Sequence, residues 1–315
     1  MTGYIVRYDG TVLKLPTILE WKFEYGVSTP CDSFEMTVLW ESGDVSDLSA
    51  AVEFWAEENG ERVFTGVVDE FSLRMDASGR RAELAGRGMA ALLLDNEAEA
   101  ADYGTATWAD VLRRHVTPYG ISAVGTAPPP ASGFSVAYGS SEWQAVYEFA
   151  RYWGGTVPRF DRQGRLVTGP WDDGMVKLLD DKAAVTGMRW REKRYGVLSQ
   201  VLVRDKVRQT VQTVTDEAFL AQGGRCRRWY TMPGRSSYQA MRYRGQYQLE
   251  QSGMERYRLE ITVPKALFAY PGELVRVDRH DWACNGLYRV ARASTGTDSQ
   301  GEYTTLALSK PNMVG

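Results

Sequence analysis

The chain reads as mainly β, with an α+β segment in the middle and a tube-like β-barrel toward each end. Three observations predict this. Stretches near both ends alternate apolar and polar residues with period two, as half-buried strands do. A series of strand, turn, Gly-led strand, turn and strand occurs twice, once near each end. Between the two copies the apolar period changes from two to that of a helix.

The elements follow in order. Glu20 to Tyr25 places Trp21, Phe23 and Tyr25 on one face and charged residues on the other. Ser33 to Trp40 alternates in the same way. Val52 to Trp55, Thr65 to Ser72 and Arg81 to Ala85 are three further strands, separated by Asn59-Gly60 and by Asp76-Ala77-Ser78-Gly79. Short spacing between Gly, Pro, Asn and Asp clusters suits a barrel or sandwich over residues 1–88.

Residues 89–185 form an α+β middle domain. Met89 to Glu99 is a short helix candidate. Thr107-Trp108-Ala109-Asp110 resembles a capping box, opening a helix that ends near Gly120. The best helix begins at Ser140 or Ser141. Its apolar face carries Trp143, Val146, Tyr147, Ala150 and Trp153, and Gly154-Gly155 stops it. A hairpin turning at Asp161 to Gly164 follows.

Residues 186–315 read as the second barrel, with a helical insertion over about 216–252. Leu198 to Val203 is a strand, with Val207 to Val214 as its partner. Ser236 or Ser237 caps a helix whose stripe is Tyr238, Met241, Gly245 and Leu249. Tyr257 to Val263 alternates again. Leu274 to Val277, Asn285 to Ala291 and Tyr303 to Leu308 repeat the first series, so that Thr65-Gly66 is echoed by Asn285-Gly286.

Length fits about two domains. Hydrophobic residues make up 43% of the 315 and charged ones 24%, which describes a globular chain. No apolar run reaches the ~20 residues a spanning helix needs. The first residues, Met1 to Arg7, show no signal segment, which predicts cytoplasmic synthesis. Cys31, Cys226 and Cys284 are too far apart for a disulfide framework or zinc pattern. The net charge of -3 hides an asymmetry. Glu41 to Asp110 holds 16 acids against 5 arginines; Arg204 to Arg258 holds 11 bases against 5 acids. Opposite patches of this kind neutralise within a fold or meet between subunits.

No catalytic constellation is visible. Phosphate-loop, zinc-protease, paired-cysteine and serine-elbow motifs are all missing, and Gly86-Arg87-Gly88 lacks the third glycine of a dinucleotide turn. Of two histidines, His115 fits a solvated or helix-terminal place and His280 a turn. Adjacent acids on a strand point to opposite faces, so most pairs cannot share a substrate; Asp172-Asp173, in a turn-like segment, is the pair a glycosidase could use. Arg225, Arg227 and Arg228, with Trp229, Tyr230, Arg235, Arg242 and Arg244, suit phosphate contact, a solvated loop or a subunit contact. A pI of about 5.7 speaks against a dedicated nucleic-acid binder. Ten tryptophans and 17 tyrosines fall mostly on strand or helix faces, where core packing is the ordinary role.

Several runs resemble a known family. Arg62 to Asp69, closed by Ala82 to Arg87, is similar to the N-terminal barrel of baseplate hub proteins from contractile phage tails (late control protein D-like). Phe149 to Gly155 and the hairpin Asp161 to Leu166 resemble its middle domain, and Tyr270-Pro271-Gly272-Glu273 the turn opening its late strands. The resemblance implies a homotrimer whose two barrels per chain make a pseudo-sixfold ring. That ring joins a sixfold tail tube, or a tube-initiator protein, to a threefold central spike among the other baseplate proteins of the virion tail. No cofactor, metal or catalysis is implied. The charge asymmetry then places the acidic first barrel of one subunit against Arg225, Arg227 and Arg228 of the next. Two rival readings are a carbohydrate-binding or glycan-cleaving β protein of the tail tip, and the hub of a non-contractile tail.

Overall fold

The structure is a computed structural model that describes residues 1–27, 31–40, 45–77, 79–232, 236–254 and 256–311, the side chain of Tyr152 excepted. Ser78 and Arg235 lie outside the described residues.

Seven strands open the chain: β1 (Thr2–Arg7), β2 (Val12–Lys14), β3 (Ile18–Gly26), β4 (Ser33–Leu39), β5 (Ala51–Glu58), β6 (Glu61–Asp76) and β7 (Gly79–Gly88). They pair in the order β3-β4-β7-β6-β5-β1-β2, antiparallel throughout. The period-two pattern decides the faces. Trp21, Phe23 and Tyr25 of β3 are buried, as are Phe34, Met36 and Val38 of β4. Their rings interlock: Phe34 stacks on Phe54 at 4.0 Å between centroids, and Phe23 on Phe64 at 5.2 Å.

The late strands repeat this order. Gly187–Glu192, Tyr257–Val263, Gly301–Ser309, Gly286–Asp298, Leu274–Asp278 and Val176–Asp180 lie side by side in that sequence. They occupy the places of β3, β4, β7, β6, β5 and β1. Their senses match except for the last pair, Val176–Asp180 with Leu274–Asp278, which is parallel. The likeness extends to single residues. The β6–β7 hairpin bulges at Asp69 and turns between Asp76 and Gly79. The late hairpin bulges at Ala291 and turns between Asp298 and Gly301. Each bulge lies seven residues before its aspartate, so Asp69 matches Ala291 and Gly86 matches Leu308. By the same register Thr65-Gly66 matches Leu287-Tyr288, two residues away from Asn285-Gly286.

The halves are joined edge to edge. Residues Arg292 to Thr297 pair antiparallel with Gly26 to Trp21 of β3, which makes one 13-stranded sheet among the described residues. One apolar cluster runs through both halves, from Ile5 and Phe23 to Val290 and Leu308. The path is open. It ends at β2 and at Gly187–Glu192, and no described pairing closes either half into a barrel. Among the described residues Gly187–Glu192 and the far half of β6 each pair on one side only, so neither half closes.

Between the halves lies a helical unit with its own core. Its local signals act as the sequence suggests. Thr107 and Asp110 form the capping box of the helix Trp108–His115. Ser141 accepts from the Gln144 N–H at 3.1 Å and starts Glu142–Glu148, which continues as a π-turn, Phe149–Trp153. Arg159–Phe160 and Leu166–Thr168 form the hairpin. The first expected helix shrinks to Ala91–Leu94.

A third cluster fills an insertion between Gly187–Glu192 and Tyr257–Val263. Leu198–Asp205 pairs with Val211–Thr215, as the sequence suggests, but in a separate three-stranded sheet with Cys226–Met232 rather than among the late strands. The helix Tyr238–Gly253, capped by Ser237, lays Met241, Gly245 and Leu249 on that sheet. Tyr238, in its first turn, is exposed instead.

Candidate assembly surfaces

Thr65 and Gly66 sit where the first half meets the helical unit. The Thr65 hydroxyl donates to the Arg162 carbonyl at 2.9 Å and accepts from the Arg62 guanidinium at 3.2 Å. Gly66 is needed for a close approach: a Cβ there would lie 2.0 Å from the Arg87 carbonyl oxygen. Asn285 and Gly286 serve a different local purpose. The Asn285 side chain accepts from the Arg279 N–H and donates to the Arg279 carbonyl, closing a loop. Gly286 then adopts φ +151° with no atom crowding it.

The basic cluster lies in the insertion. Arg225 folds back, donating to the carbonyls of Gly224 and Leu220. Arg227 and Arg228 are exposed on Cys226–Met232, an edge strand paired on one side only. Neither makes an ion pair among the described residues. Charge on an open strand edge discourages unplanned pairing. On the acidic side, part of the charge is met internally. Arg87 bridges Asp69 at 2.7 Å and Asp95 at 2.7 Å, and this contact holds the Asp95 carboxyl below its ordinary range.

The two histidines and Asp173 each contact a charged neighbour. His115 ends the helix Trp108–His115, so the helix-terminal place holds, but it is wholly buried and not solvated. Its Nδ1 lies 2.5 Å from Glu142, and its Nε2 3.3 Å from the Tyr103 hydroxyl. His280 is exposed beside Asp181. Asp173 receives the buried Arg289 guanidinium at 2.6 Å, which depresses its pKa. Among the described residues no group of three metal-ligating side chains converges.

A cavity of about 500 Å³ opens between the helical unit and the sheet, lined by Trp143, Tyr147, Phe160, Trp171, Tyr247 and Tyr270, with Asp161 and Asp172 at its wall. Arg159 lies over Trp171 at 4.2 Å. Asp32 also faces this cavity. It accepts from the Gly26 N–H at 3.1 Å, and burial pushes its carboxyl up to about 7. Beside it, burial pushes the Cys31 thiol up to about 12. Neither residue stands out in the sequence, because their environment comes from distant strands.

No protein-family model matches the sequence, and neither does any curated protein. Solved structures do match. A tail protein from Neisseria meningitidis MC58 is similar over 99% of this chain and 97% of its own, at 17% identity and a TM-score of 0.79. The 43 kDa tail protein of prophage MuSo2 from Shewanella oneidensis matches over 100% of both chains, at 16% identity and a TM-score of 0.78. The E. coli c3393 protein, a component of the type VI secretion system described as similar to the T4 tail proteins gp27 and gp5, matches over 95% of this chain and 77% of its own, at 15% identity and a TM-score of 0.56. End to end, this chain has the fold of phage tail proteins.

Proposed function

We propose that the chain is a structural baseplate hub of a contractile phage tail or phage-like particle, assembled as a homotrimer that joins the sixfold tail tube to the threefold spike. The observation that carries this reading is the internal repeat. Two half-sheets of the same strand order, in a chain with the fold of tail proteins, give three copies six similar units. A closed ring of such units matches sixfold to threefold symmetry without any change of subunit. The three parts 1–88, 89–185 and 186–315, with Val176–Asp180 passing from the second into the late half-sheet, then act as first tube unit, brace and second tube unit. The role is geometric and requires no cofactor or catalysis. Its partners are further copies of itself, the spike, the tube or its initiator, and neighbouring baseplate proteins. Its place is the virion tail, after synthesis in the host cytoplasm. No helix among the described residues is long and apolar enough to cross a membrane.

The test is solution mass by light scattering, with images of the same peak. A trimeric ring with a central hole is the expected result. A chain that stays monomeric, alone and after purified spike protein is added, overturns the reading.

The aromatic cavity favours one second reading, a glycan-binding tail-tip protein, since sugar faces stack on such rings. Binding of host surface glycan that is lost in Asp172→Asn would support it. An unchanged isotherm would sink it.

A further inference from the structure

We propose that the joint between copies is a β-pairing of residues Glu70 to Met75 of one chain with Lys193 to Met188 of another, antiparallel and in a single register. This rests on the ring reading above and gives it an interface.

The argument transfers a joint already present inside the chain. Residues Arg292 to Thr297 are covered by Gly26 to Trp21 of β3. By the matched bulges and turns, Arg292 to Thr297 correspond to Glu70 to Met75 of β6. The stretch Glu70 to Met75 pairs with β7 on one side only; β5 reaches no further along β6 than Val67. On the other partner, Phe34 matches Leu259 because they face Gly86 and Leu308. Phe23 and Trp190 lie opposite those two residues, so Phe23 matches Trp190. The strand Gly187–Glu192 is therefore a second β3, and its outer edge has no pairing strand among the described residues. Inside the chain Phe23 faces Thr295. Between chains Trp190 must face Leu73, with Met188 against Met75 and Glu192 against Phe71.

Burial supports each step. Ala293 and Thr295, under β3, are 0% exposed. Their counterparts Phe71 and Leu73 point to the same inner face, beside the buried Leu84 and Ala82. Yet Leu73 is 37% exposed and Met75 73%; across the proposed joint Trp190 is 36% exposed. Both edges thus carry uncovered apolar side chains on the face that their counterparts bury. An unpaired, apolar strand edge is a template for another chain, and here the internal joint supplies the register. On the outer face Glu70 meets Lys193, a favourable pair. Arg74 meets Arg189, a like-charged pair that Asp76, 3.1 Å from the Arg74 Nε, relieves. The contact is heterologous, so it does not stop at a dimer: its repetition gives a ring where the rotation closes, as the hub reading requires.

The test is disulfide trapping in the full chain. Leu73→Cys/Trp190→Cys places two sulfurs at directly opposed positions, within the reach of a disulfide. On oxidation, non-reducing gels should show dimer and trimer bands, with trimer the largest species, while each single variant shows none. Ser72→Cys/Trp190→Cys sets the sulfurs on opposite faces and should give no ladder. Leu73→Lys, a change at an exposed site that leaves melting unaltered, should weaken association about tenfold or more. An equal ladder from the Ser72 pair overturns the register. A closed oligomer by mass with no ladder from the Leu73 pair overturns the joint and leaves the ring reading standing. A chain that stays monomeric, alone and with purified spike protein added, and gives no ladder overturns both.

Discussion

The two halves of the sheet share strand order, hairpin length and bulge, yet differ in what covers them. In the late half, β3 pairs edge to edge with Arg292 to Thr297, and the inner-face residues there are small: Ala293, Thr295 and Thr297. In the first half the matching stretch is bare and larger, with Phe71, Leu73 and Met75. Matching backbones therefore carry small side chains where β3 pairs alongside and larger ones where no described strand does.

Substitutions test how far the two halves depend on each other. The largest effect is expected at the joint that exists within the chain. Phe23→Ala should cost about 3–5 kcal/mol, because Phe23 is fully buried and touches Phe54 and Phe64. Calorimetry should show one transition moving down as a unit, since a single core runs through both halves; two separating transitions would make the halves independent.

Next comes Asp32→Asn. The Asp32 carboxyl ionises near pH 7 when folded and near 4 when unfolded, so the parent loses stability as pH rises between those values and no more above them. The variant should match the parent at pH 4 and exceed it at pH 8 by on the order of 2–4 kcal/mol. Denaturant titrations at the two pH values check this; an equal difference at both would refute it.

A smaller contrast lies between the two glycines of the sequence echo. Gly66→Ala forces a Cβ against a carbonyl and should cost about 1–3 kcal/mol. Gly286→Ala meets open space at an unfavourable φ and should cost about 1 kcal/mol. Equal shifts in melting temperature would mean that β6 relaxes freely at Gly66. The smallest effect on folding belongs to Arg227→Glu/Arg228→Glu, within about 0.5 kcal/mol. If the acidic first half of a neighbour docks there, the same variant lowers the ring's salt-sensitive association; unchanged assembly by light scattering counts against that contact.

Much of this was legible in sequence because it is local. Alternation in β3 and β4, the Thr107, Ser141 and Ser237 caps and the Asp161 turn each depend on residues within a few positions. The illegible parts are long-range. Nothing within Leu198 to Val203 says that it leaves the large sheet, because that is decided by Cys226–Met232 and by the helix laid on it. Nor does Val176–Asp180 announce its parallel partner 98 residues later. His115 looks solvated beside Arg113 and Arg114, and its burial is set by Glu142 on another helix. The echo found the repeated hairpin but misplaced it by two residues, since glycine-led strands look alike while a bulge has no local signature.

The insertion bears on how the chain folds as it is made. Six residues join β3 to β4, whereas 64 separate Gly187–Glu192 from Tyr257–Val263. Closing the longer loop costs about 2 kcal/mol more in chain entropy unless the inserted unit folds first and draws its ends together. The early half, complete by residue 88, has no such delay. During synthesis its β3 edge stands ready for some two hundred residues before Arg292 to Thr297 emerge to meet it. The first half thus acts as a mould on which the second is cast, and a nascent chain stalled before residue 286 displays the same raw edge that its neighbours could seize.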